Sequence, residues 1–266
     1  MRLKRLLNSW LLIFLYLGLL LILPISILLN RAGYELFNSF IERATNEVAL
    51  SAYFVTFSMA FLASLFNTIF GFLMAWVLIR YRFPGKKLLD IAIDLPFALP
   101  TSVAGFTLVN IYSDKGLIGS YLSRLNIQIV FTRLGIMVAM IFVSFPFIIR
   151  TLQPALENLD REYEQAAWVL GASYWRTFYS IVLPNLLPSF LTGFTLSFSR
   201  AIGEYGSIVI ISSNFPLKDL IASVFILQCL EQYDYTGATI IGTVMLFISL
   251  TLLIIINFFQ RWNQRN

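Results

Sequence analysis

Six apolar runs divide the chain: roughly Trp10–Leu29, Tyr53–Ile79, Leu89–Tyr112, Leu134–Ile149, Phe190–Ser212 and Gly237–Phe259. A helix rises about 1.5 Å per residue, so about 20 apolar residues cross the hydrocarbon core of a bilayer. The pattern predicts an all-α polytopic membrane protein with six transmembrane helices. The fourth run is short and extends toward Thr132 or Thr151. The first follows the basic start Met1-Arg2-Leu3-Lys4-Arg5. Its length exceeds the roughly 7–15 residues of a signal core and no small-residue cleavage site follows, so it reads as a retained anchor.

One segment, Arg150 to Leu187, departs from this lipid-compatible pattern. Apolar residues fall at Leu156, Leu159, Tyr163, Ala167, Leu170, Tyr174, Phe178 and Ile181, in steps of three and four. That spacing predicts a long amphipathic helix. Glu157, Asp160, Arg161, Glu162, Glu164 and Arg176 fall off the stripe. At Ala166, Ala167 and Gly171 the face becomes small, so another backbone can come close. Pro184 and Pro188 are expected to stop or kink the helix before the fifth span. Periodicity alone fits either a connector lying on the membrane surface or a helix that docks in a groove of a partner.

Composition and charge agree with a membrane protein. The chain is 58% hydrophobic and 12% charged, against about a quarter charged in soluble domains. It has one cysteine and no histidine. That excludes an internal disulfide and a thiol cluster for metal, and removes the usual proton-transfer side chain near neutral pH. With six spans, one side carries Arg2, Lys4, Arg5, Arg80, Arg82, Lys86, Lys87, Arg150, Arg161, Arg176, Arg261 and Arg265. The other carries only Arg31, Arg43, Lys115, Arg124, Arg133 and Lys218. The richer side is expected to be cytoplasmic or stromal, with both termini there. Trp10, Trp76, Trp168, Trp175 and Trp262 fall on or near that same side. The net +5 is therefore mostly topological charge and no nucleic-acid patch.

Few polar residues lie inside the runs. Arg200 and Glu204 stand i, i+4 near the middle of the fifth span. They read either as a mutually neutralised pair facing a neighbouring helix or as a translocation pathway in which Arg200 eases passage of an anion. Asp94, Pro96 and Pro100 in the third span suggest a kinked helix, since prolines free backbone carbonyls. Gly193, Gly203, Gly206 and Gly242 favour close helix packing. Asn30–Leu50, Ser113–Arg133 and Ser213–Thr236 form the larger segments on the opposite side.

The loop carries a recognisable spacing. Glu164-Gln165-Ala166-Ala167, then Gly171, then Ile181-Val182-Leu183-Pro184 resembles the signature loop of ABC-importer permeases: Glu-Ala-Ala, three residues, Gly, nine residues, Ile-x-Leu-Pro. Ala166, Ala167, Gly171, Ile181, Leu183 and Pro184 match; Gln165 stands where that family has Glu, so any ion pair made by that carboxylate is in doubt. The resemblance extends over nearly the whole chain. Leu95–Gly105, Phe145–Pro154, Arg200–Ser207 and Leu230–Thr239 are similar to the T-type permeases of sulfate/thiosulfate importers. It implies a type I ABC-importer permease fold and a loop that is the coupling helix seated in an ATPase subunit. It also implies partners: a homologous second permease subunit, two ATP-binding subunits and a soluble sulfate-binding protein.

The chain lacks a G-x-x-x-x-G-K-[ST] phosphate loop; Pro84-Gly85-Lys86-Lys87 has only the Gly-Lys pair. No cofactor is expected on this chain, with ATP and Mg on the partner ATPase, and the chain itself is expected to be non-catalytic. Moving each negative charge inward opposes about 2.3 kcal/mol per 100 mV, so uphill import needs that partner's energy. Residues 1–49 read as an extra helix with its external segment, 50–260 as the permease core containing the coupling loop 150–188, and 261–266 as a tail. Two rivals stand beside the sulfate reading: a molybdate or tungstate permease, and a self-sufficient secondary anion transporter. Heavy use of Ile, Phe and Asn points to a plastid membrane, with a bacterial inner membrane as the alternative.

Overall fold

The computed structural model describes residues 2–34 and 37–265; the side chains of residues 1–9 and 259–266, which include Arg2, Lys4, Arg5, Arg261, Trp262 and Arg265, lie outside the described residues. Helices run in the order α1 (Arg2–Leu17, a π turn Gly18–Ile22, then Leu23–Gly33), α2 (Phe37–Ala44) and α3 (Glu47–Arg80). Next come α4 (Lys86–Ile93), α5 (Leu95–Ala98), α6 (Thr101–Tyr112), α7 (Gly119–Arg124) and α8 (Arg133–Glu157). The chain closes with α9 (Arg161–Val169), α10 (Tyr174–Ile202), α11 (Ile208–Ile211), α12 (Ala222–Glu231) and α13 (Tyr235–Arg265). No strand occurs among the described residues.

Among the described residues, five helices are long and apolar enough to cross a bilayer: Trp10–Gly33, α3, α8, α10 and Tyr235–Phe258 of α13. The expected third span, Leu89–Tyr112, is no continuous helix. It is broken at Asp94 and again at Leu99-Pro100, giving α4, α5 and α6. The second break has a local cause: Pro100 pushes Leu99 into extended geometry, with φ −86° and ψ 132°. The expected fifth span, Phe190–Ser212, is also shifted. Its helix begins at Tyr174 and ends at Ile202, and only the four-residue α11 follows.

Proline acts differently here from the sequence expectation. Pro184 and Pro188 do not stop α10, which runs through both. A π turn, Phe178–Val182, immediately precedes Leu183-Pro184, and Leu183 N–H donates to the Phe178 carbonyl. The same device precedes Leu23-Pro24 in α1, where Leu23 N–H donates to the Gly18 carbonyl. Proline has no N–H and its ring crowds the carbonyl four residues back, so a widened turn absorbs the defect without breaking the helix.

α3, α8 and α10 form the core. α3 begins with Asn46 as its cap, whose side chain accepts from Val48 N–H at 3.0 Å. Ala49, Ala52, Ala60, Ala63 and Ala75 line its buried side, so neighbouring backbones approach closely. Asn67 Nδ2 donates to Ser144 Oγ at 2.9 Å, a polar link between α3 and α8. Where the three helices meet, Ile148 is wedged between two glycines. A Cβ at Gly71 would fall 2.3 Å from its Cγ2, and one at Gly193 2.4 Å from its Cδ1. The most apolar stretch of the Trp10–Gly33 span, by contrast, has no buried residue; Ala32, near its end, is buried where the helix packs against α13. The ends of α3, α8 and α10 define two faces: a loop face with Arg80, Glu157 and α9, and a far face with Glu47, Arg133 and Ile202.

The wedge yields a prediction. Gly71→Val overpacks the contact and is expected to cost about 1–3 kcal/mol, seen as a lower melting temperature of the detergent-solubilised protein. Adding Ile148→Ala should restore part of the loss. A double variant no more stable than Gly71→Val would show that the wedge does not limit the packing.

Candidate functional site: the loop helix and the far-face Arg200–Glu204 pair

The predicted long amphipathic helix is three helices. α8 ends at Glu157, α9 occupies Arg161–Val169, and α10 starts at Tyr174. The stripe therefore does not form one face. Gly171 is the reason for the second break: it adopts φ +86°, the left-handed region that favours glycine. Gly171 N–H donates to the Trp168 carbonyl and Ala172 N–H to the Ala167 carbonyl, both at 2.9 Å. This pair of bonds is a Schellman cap, which satisfies carbonyls that the helix end would leave open. Ser173 then starts the next helix, its Oγ accepting from Arg176 N–H at 3.3 Å.

Glu164 points inward, while Gln165 beside it is exposed. Glu164 is buried and pairs with Arg80 Nη2 at 2.5 Å, the two side chains only 11% and 9% exposed. Arg161 Nη2 adds a second tie, donating to the Arg80 carbonyl at 3.0 Å. Arg80 also lies over the Trp76 ring, 5.3 Å from its centroid. α9 is thus held under the end of α3 by its inner side. Gln165 and Ala166 are exposed, and Ala167 is half-buried. Ile181 and Leu183 are half-buried in the first turns of α10 and Pro184 is exposed there, so the two halves of the motif do different work.

The tip of the loop is apolar. Val169 and Leu170 are 87% and 88% exposed at the tip of the loop, with Tyr174 and Trp175 beside them at 76% and 72%. Val169 and Trp175 lie off the sequence stripe, and the turn at Gly171 is what brings them to the tip. The glycine itself was the signal.

Arg150 is a second hub on the loop face. Its Nε donates to Asp94 Oδ1 at 2.9 Å and its Nη2 to Asp94 Oδ2 at 2.6 Å, a two-pronged contact. Nη1 donates to Asp90 Oδ1 and Gln153 Oε1, both at 2.7 Å, and Nη2 to the Asp90 carbonyl at 2.8 Å. These bonds tie the broken third element to α8. The sequence carried a hint: Asp90 and Asp94 are i, i+4, and Arg150 is the one charge closing the Leu134–Thr151 run.

Arg200 and Glu204 are brought together, but at the far-face end of α10 and beyond the helix. The helix ends at Ile202, and Glu204 lies in the following turn. Arg200 Nη1 bonds Glu204 Oε2 at 2.7 Å. Glu204, 1% exposed, also accepts at Oε1 from Ser207 N–H (3.0 Å) and Ser207 Oγ (2.9 Å). Its carboxylate is an anchor between α10 and α11. α11 presses against α6: a Cβ at Gly105 would fall 2.6 Å from the Ser207 carbonyl oxygen. Arg200 is 29% exposed, and Glu204 is its one partner among the described residues. Its remaining donors have no partner among the described residues.

Known proteins are similar to this chain. Residues 67–266 match the family of binding-protein-dependent transport system inner membrane components. A probable sulfate transport system permease protein cysT of Nephroselmis olivacea is 59% identical over 257 residues, covering 97% of this chain and 90% of that protein. The sulfate transport system permease protein CysT of Synechocystis is 52% identical over 256 residues, covering 96% and 90%. Among solved structures, a bacterial ABC transporter that imports alginate superposes with a TM-score of 0.77 over 98% of this chain and 99% of that one, at 18% identity. A second alginate transporter structure, in complex with an alginate-bound periplasmic protein, gives 0.79 over 98% and 95%, at 20% identity. At such identities these structures speak for the fold. This chain belongs to the family of binding-protein-dependent transport system inner membrane components.

Proposed function

We propose that the chain is a permease subunit of an ATP-driven sulfate importer, working beside a homologous second permease, two ATP-binding subunits and a soluble sulfate-binding protein. The observation that carries this is the built coupling helix: α9 anchored inward by Glu164 and Arg161 on Arg80, with Val169 and Leu170 turned out. Exposed apolar tips of this kind mark a protein contact. Sulfate as cargo rests on relatives named as sulfate permeases at 52–60% identity. The charge distribution supports a loop face that is cytoplasmic or stromal. Relatives from algae beside one from a cyanobacterium favour a plastid membrane. ATP and Mg would bind the ATPase, and the cargo would not touch the loop.

Movement imposed on α9 has two routes into the spans. One goes through the Arg80–Glu164 pair to α3; the other goes through the Gly171 turn directly into α10. Arg150 couples α8 to the broken third element, which packs by α6 against α11 and so against the Glu204 anchor. Shifts on the loop face thereby reach Arg200 near the far face. Its guanidinium offsets part of the cost of a dianion in a low-dielectric passage.

Radiolabelled sulfate uptake in a sulfate-permease-null bacterium carrying the chain and its partners tests the reading directly. Uptake should appear only with the ATPase present, and molybdate should compete weakly. Transport on an ion gradient alone, with no ATPase association, would sink it. Gly171→Val places a β-branched residue in the left-handed region, at about 1–2 kcal/mol. It should leave the protein inserted at normal level but cut uptake several-fold while ATP hydrolysis persists. Arg200→Gln should lower uptake at least about tenfold at equal protein level, whereas Arg200→Lys should retain a measurable part of it. Unchanged uptake in Arg200→Gln would remove the pathway role.

A further inference from the structure

Between the end of α3 and the start of α4 the surface opens into a cavity of about 230 Å³. Leu73, Met74, Val77 and Leu78 of α3 line one side, Phe83 and Leu89 the other, so every wall is apolar. Leu78 is buried at its floor, while Leu73, Met74, Val77 and Leu89 stay exposed. The turn that shapes the cavity is local. α3 ends at Arg80, and Gly85, at φ +84°, swings the chain into α4, where Leu89 N–H donates to the Gly85 carbonyl at 3.0 Å. At a rise of 1.5 Å per residue, Leu73 lies about 10 Å deeper along α3 than Arg80. The cavity therefore runs from the charged end of a membrane span into the hydrocarbon.

Its mouth carries cations. Arg82 and Lys87 are exposed and have no partner among the described residues, and Lys86 is half-buried between them on the same turn. No acid occurs from Arg80 to Leu89. Asp90, the one acid of α4, is already held by Arg150 Nη1 at 2.7 Å and Gln153 Nε2 at 3.0 Å. Exposed Tyr81 adds an amphipathic ring suited to headgroup level. A dissolved anion gains nothing from the apolar pit, and an apolar helix gains nothing from the cations. A lipid with a negative headgroup satisfies both.

We infer that an anionic glycerophospholipid of the loop-face leaflet seats here, with an acyl chain in the cavity and its phosphate on Arg82 and Lys87. Basic side chains at the membrane surface attract such headgroups, and each methylene buried adds to the hold. The lipid would wedge between two charged joints of the loop face. On one side stands α3, whose Arg80 seats α9; on the other stands α4, tied through Asp90 to Arg150 of α8. The inference needs only a chain that spans a bilayer, whatever its cargo.

Full-length protein in a neutral glycoside detergent is titrated with phosphatidylglycerol or with phosphatidylcholine of equal chain length, and bound lipid is counted by native mass spectrometry. A saturable site is expected that takes phosphatidylglycerol at least about tenfold more tightly, with inorganic phosphate no competitor. Arg82→Gln with Lys87→Gln should weaken it at least about tenfold. Lys115→Gln with Arg124→Gln, which removes the same charge from the segment before α8, should not. Val77→Trp fills the pit and should weaken both lipids. Arg82→Lys should keep most of the affinity, which a misfolded protein would not. Equal binding of the two lipids, or binding indifferent to the Arg82 and Lys87 changes or to Val77→Trp, would overturn the inference. Displacement by inorganic phosphate would overturn it too. In the importer assembled with its second permease, the phosphatidylglycerol should remain bound; its loss there, with assembly blocked by Val77→Trp, would give the groove to that subunit instead of a lipid.

Discussion

The joint between Arg80 and Glu164 bears on everything else in this molecule. Two charges taken out of water in this way seldom add net stability, because desolvation offsets their attraction. What the pair supplies is placement. Removing one partner would strand the other charge in a buried site, a loss of about 3–5 kcal/mol, so α9 has essentially one seat under α3. Arg161 reinforces that seat from one turn away, bonding the carbonyl of the same Arg80. A helix of nine residues is too short to be stable alone. Docked in this way, it is held in place by its ties to Arg80.

The second constraint is the bilayer. Inside hydrocarbon each backbone N–H and C=O needs a partner, so irregular chain is tolerated only where protein covers it. The two interrupted stretches obey this rule by leaning on each other. The broken third element is tied to α8 by Arg150 on the loop face and packs α6 against α11 on the far face. α11 in turn hangs from Glu204, which satisfies Ser207 N–H and Oγ as well as Arg200. The weak points of the spanning structure thus coincide with its charged residues. Breaks that would be defects in isolation give the core segments that can shift without unfolding a whole helix.

Much of this was legible in the sequence, for identifiable reasons. The all-α membrane class follows from run lengths, because bilayer thickness leaves few alternatives. The loop was legible because Ala166, Ala167 and Gly171 keep a fixed spacing. What periodicity could not show was that the stripe belongs to three helices. Steps of three and four continue through Gly171 in the sequence, while the backbone there turns left-handed. The same limit misplaced Arg200 and Glu204. Their i, i+4 spacing suggests one helical face, yet the helix ends at Ile202 and Glu204 folds back from the turn. Hydropathy had no way to mark that end, since Ile208–Ile211 is as apolar as the helix before it.

Gln165 shows most clearly what geometry adds. By sequence alone, the loss of a carboxylate at that motif position put an ion pair in doubt, with Glu164 standing unexplained beside it. Neighbouring residues on a helix point about 100° apart, so one carboxylate cannot stand in for the other. Glu164 points inward and serves the joint with Arg80, while Gln165 points out to the rim. The missing charge therefore leaves the anchoring of α9 untouched and changes only what the outer side presents.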